Sequence, residues 1–164
     1  MGKLHLHLLG AFRLQNAFGE PMLLPTKKSK ALLAYLALAA EQLHSRSSLA
    51  SLLWDQAGER QARESLRQTL SLLRRTLLPS QAQPIISEGD AIVLDTSALR
   101  VDALEFAKLA ETAEPDAHSA AANLYSGELL EGFNLHAPEF DRWLSAARQG
   151  FHEKAVIQIG RAHV

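Results

Sequence analysis

Arginine side chains repeat along one predicted helix of this sequence, in a pattern that could donate hydrogen bonds to an anionic partner. Between Glu59 and Leu78, apolar residues recur every three or four positions and predict a helix with one dry face, formed by Ala62, Leu66, Leu70, Leu73 and Leu77. The rest of its surface is basic and polar, and includes Arg60, Arg63, Ser65, Arg67, Gln68, Ser71, Arg74 and Arg75. Arginine can donate a fork of hydrogen bonds to guanine, glutamine can pair with adenine, and serine can contact several bases. The pattern favours a helix that lies in a DNA major groove; the alternative is a solvated helix surface.

The charges of the chain are distributed unevenly between its two halves. The 164 residues carry 17 Lys and Arg against 18 Asp and Glu, a net charge of -1. Residues 1–78 hold 11 basic and 5 acidic residues, whereas residues 79–164 hold 6 basic and 13 acidic residues. We therefore expect the first half to meet an anion, and the acidic second half to meet a protein partner or a neighbouring copy of the chain.

The composition excludes several kinds of chemistry. The sequence has no cysteine, so it offers no disulfide, thiolate zinc site or cysteine nucleophile. His5 and His7 share one face of a predicted strand without a third ligand, and we expect neither a metal nor a cofactor. We expect no enzyme either, because phosphate-binding glycine loops, G-x-S-x-G and H-E-x-x-H are all missing. No apolar run approaches about 18 residues, which favours a cytoplasmic protein.

The first half has the element order of a helix-turn-helix. Alternating residues predict strands at Lys3–Leu9, Phe12–Leu14 and Met22–Leu24, which would form a small antiparallel sheet. Ser45 is the predicted cap of a short helix that closes at Trp54, and a turn containing Gly separates it from the arginine-rich helix. In such a pair the first helix crosses the DNA backbone and the second enters the groove.

Another helix and a hairpin complete this half. Thr26 is the predicted cap of the first helix, and Ile85–Ser87 and Ile92–Leu94 read as the two strands of a hairpin. Four basic residues stand at the starts of the first and second helices and are candidate contacts to phosphate, unless they are simply solvated. These residues are Lys27, Lys28, Lys30 and Arg46.

The second half is predicted to be helical throughout. Asp102 and Glu105 have the spacing of a capping box at the start of its first helix, and Pro115 and Pro138 open two more, the earlier of which runs to Gly127. The pattern is typical of antiparallel helical hairpins, as in helical-repeat (TPR-like) proteins. The last six residues, 159–164, look like the translation of a common sequencing adapter, so we expect the natural chain to continue beyond them.

Several segments, taken in order, closely resemble the winged helix of the Streptomyces antibiotic regulatory protein family, a relative of the OmpR/PhoB-type effector domain. They are KLHLHLLGAFRL, PTKKSKALLAYLALA, SSLASLLW, QARESLRQTLSLLRRTL and the hairpin. Behind them, VDALEFAKLA, AANLYSGELLEGF and PEFDRWLSAAR are similar to the bacterial transcriptional activation domain that accompanies it. The resemblance implies an α+β winged helix-turn-helix with a small antiparallel sheet, three helices and a C-terminal hairpin wing in residues 1–96. The N-terminal part of the all-α domain would follow in residues 97–158.

The resemblance also implies a function. It predicts a sequence-specific activator that binds double-stranded DNA at promoter repeats and helps to recruit RNA polymerase. Copies of the chain on tandem sites would contact one another as a homo-oligomer. Matching the Leu-Arg pair of the family at residues 73–74 places Ser65, Gln68 and Leu72 toward the groove and Arg74 toward phosphate. The family commonly has a basic residue at position 72, so that Leu72 offers an apolar contact to a thymine methyl instead.

A second hypothesis stays open beside this one. The wing tip, residues 88–90, is acidic where a contact to the minor groove would need Arg or Lys, and it favours a wing that does not read DNA closely. Together with Leu72, it fits a protein-docking module of a larger signalling ATPase, cyclase or helical-repeat protein, with weak or no DNA binding.

Overall fold

Six strands and six helices make up the part of the chain that the computed structural model describes, residues 3–40 and 42–162. In chain order they are β1 (Leu4–His7), β2 (Arg13–Gln15), α1 (Lys27–Leu38), β3 (His44–Ser45), α2 (Arg46–Leu53), α3 (Glu59–Leu77), β4 (Ile85–Glu88), β5 (Ala91–Leu94), β6 (Leu99–Val101), α4 (Asp102–Ala110), α5 (Pro115–Leu124) and α6 (Pro138–Ala162). The order agrees with the predicted winged helix followed by a helical region.

Local capping signals set the starts of the first two helices. Thr26 precedes α1, and its side-chain oxygen accepts a hydrogen bond from Ser29 N at 3.0 Å, while Thr26 N donates to Ser29 Oγ at 3.3 Å. Ser45 precedes α2 and accepts a hydrogen bond from Ser48 N at 3.1 Å. Caps of this kind stabilise a helix by about 1 kcal/mol each, because they satisfy amide groups that have no partner inside the helix. Both predicted starts are confirmed.

The arginine-rich helix α3 is held by its apolar face. The five residues of the predicted dry face are all buried, and Thr69 joins them by donating to Ser65 O at 2.9 Å. Full burial of a leucine side chain contributes roughly 2 kcal/mol, so this face fixes the rotation of the helix about its axis. A 3-10 turn at Leu78–Ser80, which contains Pro79, ends it. Because the apolar face is buried, the arginine flank of α3 faces solvent.

The first sheet differs from the prediction. β1 pairs antiparallel with β2, as expected, but the third strand is β6, which pairs parallel with β1. The predicted strand at Met22–Leu24 was wrong: Pro21, just before the segment, forms an isolated bridge with Gln15, and Met22 N donates to Leu14 O at 2.8 Å. Pro21 has no N–H to donate to a ladder, and Leu23 points outward with 85% of its surface exposed. The small sheet is therefore mixed rather than purely antiparallel.

The predicted hairpin is confirmed and belongs to a second sheet. β4 and β5 pair antiparallel and form the wing, with Gly89 in the left-handed region at φ +61° in its turn. The sequence predicts that α2 begins at His44, but His44 and Ser45 form the strand β3. β3 pairs antiparallel with β5 through Ser45 and Ala91. This pairing holds the wing tip beside the N-terminus of α2.

The helical half begins with a correction. Asp102 and Glu105 do not form a capping box, because the chain stays extended through β6 and Val101 takes the cap position of α4. The Asp102 carboxylate instead accepts hydrogen bonds from Leu8 N at 2.8 Å and Leu9 N at 3.1 Å, while Glu105 accepts one from Arg100 Nε. An aspartate at a strand-to-helix junction thus ties the end of β1 to the start of α4.

The remaining helices follow the prediction more closely. α5 begins at Pro115 as expected but ends at Leu124 rather than Gly127, and it packs against both α4 and α6. α6 begins at Pro138 and continues through Ala162, so residues 159–162 of the predicted adapter tail are helical, whereas residues 163–164 lie outside the described residues. The TPR-like character of these helices stays a prediction. No helix in residues 3–40 and 42–162 is long and apolar enough to cross a membrane.

The two halves share one apolar core. The segment at residues 128–131 pairs with the end of β1: Gly10 N donates to Glu128 O at 3.0 Å and Leu130 N donates to Leu8 O at 2.8 Å. The rings of Tyr35 on α1 and Trp143 on α6 meet edge to face at 4.8 Å. β6 lies after the predicted domain boundary between residues 96 and 97, yet it pairs with β1 of the first half. The winged helix and the helices behind it therefore pack closely, and the boundary stays a prediction.

Candidate nucleic-acid interface

A basic groove runs along the solvent side of α3. Six arginines line it, and we call it the arginine groove: Arg46 of α2 and Arg60, Arg63, Arg67, Arg74 and Arg75 of α3. Ser71, Leu70, Glu59 and Glu64 complete its lining, and its volume is about 930 Å³. Because the arginines of α3 recur at helical spacing on the flank of the dry face, they share one side of the helix. The groove collects guanidinium groups as a site for a polyanion would.

One end of the groove is a junction between α2, α3 and the wing. The Ser87 hydroxyl on β4 accepts a hydrogen bond from Arg74 Nη2 at 2.8 Å and another from Arg46 Nη2 at 3.2 Å. Partial burial, and then the neighbouring Arg46, lower the pKa of Arg74, although a guanidinium remains charged at any physiological pH. Two cations forced together around one hydroxyl are stabilised by an anion, and a phosphate oxygen fits this junction.

The wing tip contacts two arginines of the groove. Asp90 Oδ1 lies 3.3 Å from Arg63 Nη2 and 3.8 Å from Arg46 Nε. Arg63 also donates through Nη1 to Ser47 Oγ on α2 at 3.2 Å. The acidic wing tip is thus used within the molecule, as a partner for two arginines of the groove.

A second acid occupies the neighbouring turn of α3. Glu64 accepts hydrogen bonds from Arg67 Nη2 at 2.6 Å and from Gln68 Nε2 at 3.3 Å. The hydrogen bond from Arg67 holds the pKa of Glu64 below its usual value, and the same contact raises the pKa of Arg67. The pair is fully exposed, so water and salt screen it, and the arginine can exchange this carboxylate for a phosphate.

The predicted base-reading residues lie beside the arginine stripe. Ser65, Gln68 and Leu72 repeat at helical spacing, and Gln68 is exposed, whereas Ser65 and Leu72 are half-buried. Ser71 lines the arginine groove, while the other three are absent from its lining. At about 100° per residue, they fall between roughly a quarter and a half of a turn around α3 from Arg67 and Arg74, with Gln68 the nearest to the arginines and Ser65 the farthest. The helix therefore offers two parallel stripes, one basic and one mixed.

The three lysines of α1 lie elsewhere. Lys27 Nζ donates to Asn134 O at 3.2 Å, and the Lys30 ammonium lies over the Phe12 ring at 5.9 Å. Lys28 donates to Leu53 O at the C-terminus of α2 and lies over Trp54, and burial lowers its pKa against the opposing effects of nearby Asp55 and Asp141. Lysines at the start of one helix thus interact with neighbouring elements, and one of them meets the negative end of another helix. Their contact with DNA stays a prediction.

Sequence reasoning missed the intramolecular partners of the groove. Ser47 is close to Arg63 because α2 packs on α3. Ser87 and Asp90 are close to the arginines because β3 joins the wing sheet, a pairing of two residues that no local pattern marks. Glu64 could have been found from its spacing, since Glu and Arg three apart on a helix surface commonly form an ion pair. The described residues hold no group of three or more His, Asp and Glu placed to bind a metal ion.

The geometry is that of a winged helix-turn-helix whose second helix, α3, is rich in arginine, packed on a helical region. No family model matches the sequence, and no curated protein matches it either. Among solved structures the chain is similar to Mycobacterium tuberculosis EmbR, determined in complex with a low affinity phosphopeptide, with a TM-score of 0.77 and 20% sequence identity. The match covers 96% of this chain and 44% of the EmbR chain, so this chain spans less than half the length of that one. At this identity the likeness shows the fold, which extends over nearly all of the chain.

Proposed function

We propose that this chain is a sequence-specific DNA-binding regulator of transcription. The observation that carries the proposal is the arginine groove: six guanidinium groups line one open surface formed by the helix that a winged helix inserts into DNA. The likeness to EmbR supports the fold on which the proposal depends.

The contacts divide into two kinds. Arg46 and Arg74 would clamp one phosphate at the Ser87 junction, and Arg60, Arg63, Arg67 and Arg75 would follow the backbone along the groove. Ser65 and Gln68 would read base edges, and Leu72 would lie against a thymine methyl. Phosphate contacts would provide most of the affinity, while the Ser65, Gln68 and Leu72 stripe would provide the sequence preference.

The rest of the proposal follows the family resemblance. Residues 1–96 would form the DNA-binding domain, and residues 97–158 the first part of a bacterial transcriptional activation domain, in a cytoplasmic activator. Its partners would be RNA polymerase and neighbouring copies on tandem sites. The seven acidic residues against one basic residue in residues 102–131 support a protein partner for this half rather than DNA.

One observation favours a second candidate function, a protein-docking module with weak or no DNA binding. Asp90 and Glu64 already pair with Arg46, Arg63 and Arg67, so half of the arginines in the groove have an acid partner within the protein. A docking module would keep these pairs and use the groove for a protein.

Selection of bound sequences from random duplex DNA separates the two functions. We expect the purified chain to enrich one sequence. We also expect Gln68→Ala to relax preference at one base position by about 1–3 kcal/mol while binding random DNA nearly as well, because a bidentate contact to adenine is lost and phosphate contacts are kept.

The matched control is Gln149→Ala, which removes an exposed glutamine of α6 whose side chain, among the described residues, bonds only to Glu153. This control should select the parental sequence. Failure of the unmodified chain to enrich any sequence would favour the docking module.

A further inference from the structure

We propose that Asp90 is an acidic latch, an internal competitor that holds Arg63 and Arg46 against the wing and so weakens the affinity of the groove for the phosphates of DNA. The inference rests on the proposed function and assigns a regulatory contact to the same site. It gives the acidic wing tip a role in which the wing controls binding without reading a base.

The position of Asp90 is fixed by its backbone. Arg46 N donates to Asp90 O at 3.1 Å, and Ser45 pairs with Ala91 in the ladder between β3 and β5. The wing turn therefore presents its carboxylate to the N-terminal end of α2, beside Arg63 in the first half of α3. Main-chain hydrogen bonds on both sides of Asp90 hold the turn there, so the carboxylate stays within reach of Arg63 in the folded chain.

The chemistry of the contact is that of a phosphate contact. A carboxylate oxygen accepts the same charge-assisted hydrogen bonds from a guanidinium that a phosphate oxygen does. Asp90 Oδ1 lies 3.3 Å from Arg63 Nη2, with side-chain exposures of 64% for Asp90 and 43% for Arg63. Water reaches both groups, so the pair is screened and exchangeable, and incoming DNA can take the arginine at a modest cost.

The wing carries its own control residue. Glu88 lies at the other end of the same turn, opposite Ala91, is exposed and has the same charge as Asp90. In the described part of the chain it makes no ion pair with an arginine. Glu88→Gln therefore removes the same charge from the wing without touching the latch.

The test compares Asp90→Asn with Glu88→Gln in the full chain, by fluorescence anisotropy on a labelled random-sequence duplex between roughly 50 and 200 mM salt. We expect Asp90→Asn to tighten binding by about three- to tenfold, because DNA no longer has to displace a carboxylate from Arg63. Glu88→Gln should tighten binding by less than about twofold, since exposed charges at a distance are screened. Both variants should melt like the parent.

A double-mutant cycle ties the gain to Arg63. In an Arg63→Ala background, Asp90→Asn should gain clearly less than in the parent, because the latched group is gone. Equal gains from Asp90→Asn and Glu88→Gln, a gain that survives Arg63→Ala in full, or weaker binding by Asp90→Asn would each overturn the latch while leaving DNA binding in place. Absence of DNA binding by the parent and all variants at low salt would overturn the proposed function, and the latch with it.

Discussion

Replacing Arg63, Arg67 and Arg74 together by alanine is expected to weaken DNA binding by about 10²- to 10⁴-fold, since each lost arginine contact costs roughly 1–2 kcal/mol. The three guanidinium groups lie on one side of α3 and line the same groove. The triple replacement removes Arg74 from the Ser87 junction, Arg63 from the contact with Asp90, and Arg67 from the open groove. The measurement is a titration of labelled duplex at fixed salt, with thermal unfolding to verify the fold.

The control for this prediction removes the same charge from other surfaces. Arg13, Arg100 and Arg142 are exposed and are absent from the lining of the arginine groove. Their joint replacement by alanine should change affinity by less than about threefold at physiological salt, where the screening length is about 8 Å. Equal losses in the two triple variants would mean that net charge, and not the groove, governs binding.

Replacing Arg148 by methionine is expected to lower the free energy of unfolding by about 3 kcal/mol or more, because hydrogen bonds from charged donors are worth roughly 1.5–3 kcal/mol each. The Arg148 guanidinium on α6 donates to Leu129 O at 2.8 Å, Leu130 O at 2.7 Å and Phe133 O at 3.2 Å. Leu129 and Leu130 are fully buried, so their carbonyls would lose a partner that water replaces poorly. Urea unfolding followed by circular dichroism measures the loss.

The matched control lies on the same helix. Arg142 is exposed and, in the part of the chain that the structure describes, pairs only with Glu139 one turn away, so Arg142→Met should cost less than about 0.5 kcal/mol. A small effect of Arg148→Met, similar to that of the control, would show that the loop at residues 129–133 does not depend on the guanidinium. Since that loop pairs with Leu8 and Gly10, the result also tests how the helical half is attached to the first sheet.

Local signals in the sequence predicted the parts of the fold that are local in the chain. The dry face of α3 follows from spacing alone, and the caps Thr26 and Ser45 follow from residue type. The wing hairpin follows from two short apolar runs around Gly89. The arginine stripe of α3 also follows from spacing, because five of the six arginines in the groove belong to one helix.

Contacts between distant segments were not predictable in this way. β6 joins β1 across more than ninety residues, and a strand of three residues carries no signal of its partner or direction. Asp102 and Glu105 had the spacing of a capping box, yet tertiary pairing kept Val101 extended and turned the Asp102 carboxylate to β1. The ion pair between Asp90 and Arg63 is also a contact between distant segments, because the fold of the wing brings the two residues together.

The salt dependence of DNA affinity tests the central claim most directly, because neutralising phosphates releases counterions in proportion to the number of contacts. For the unmodified chain on its selected duplex, we expect the logarithm of the association constant to fall with the logarithm of the salt concentration with a slope of about -3.6 or steeper. This slope corresponds to roughly four phosphate contacts in the arginine groove. The triple replacement of Arg63, Arg67 and Arg74 should flatten that slope by about 2 to 3. A slope near zero, or one that the triple replacement leaves unchanged, would contradict the claim that this groove binds DNA.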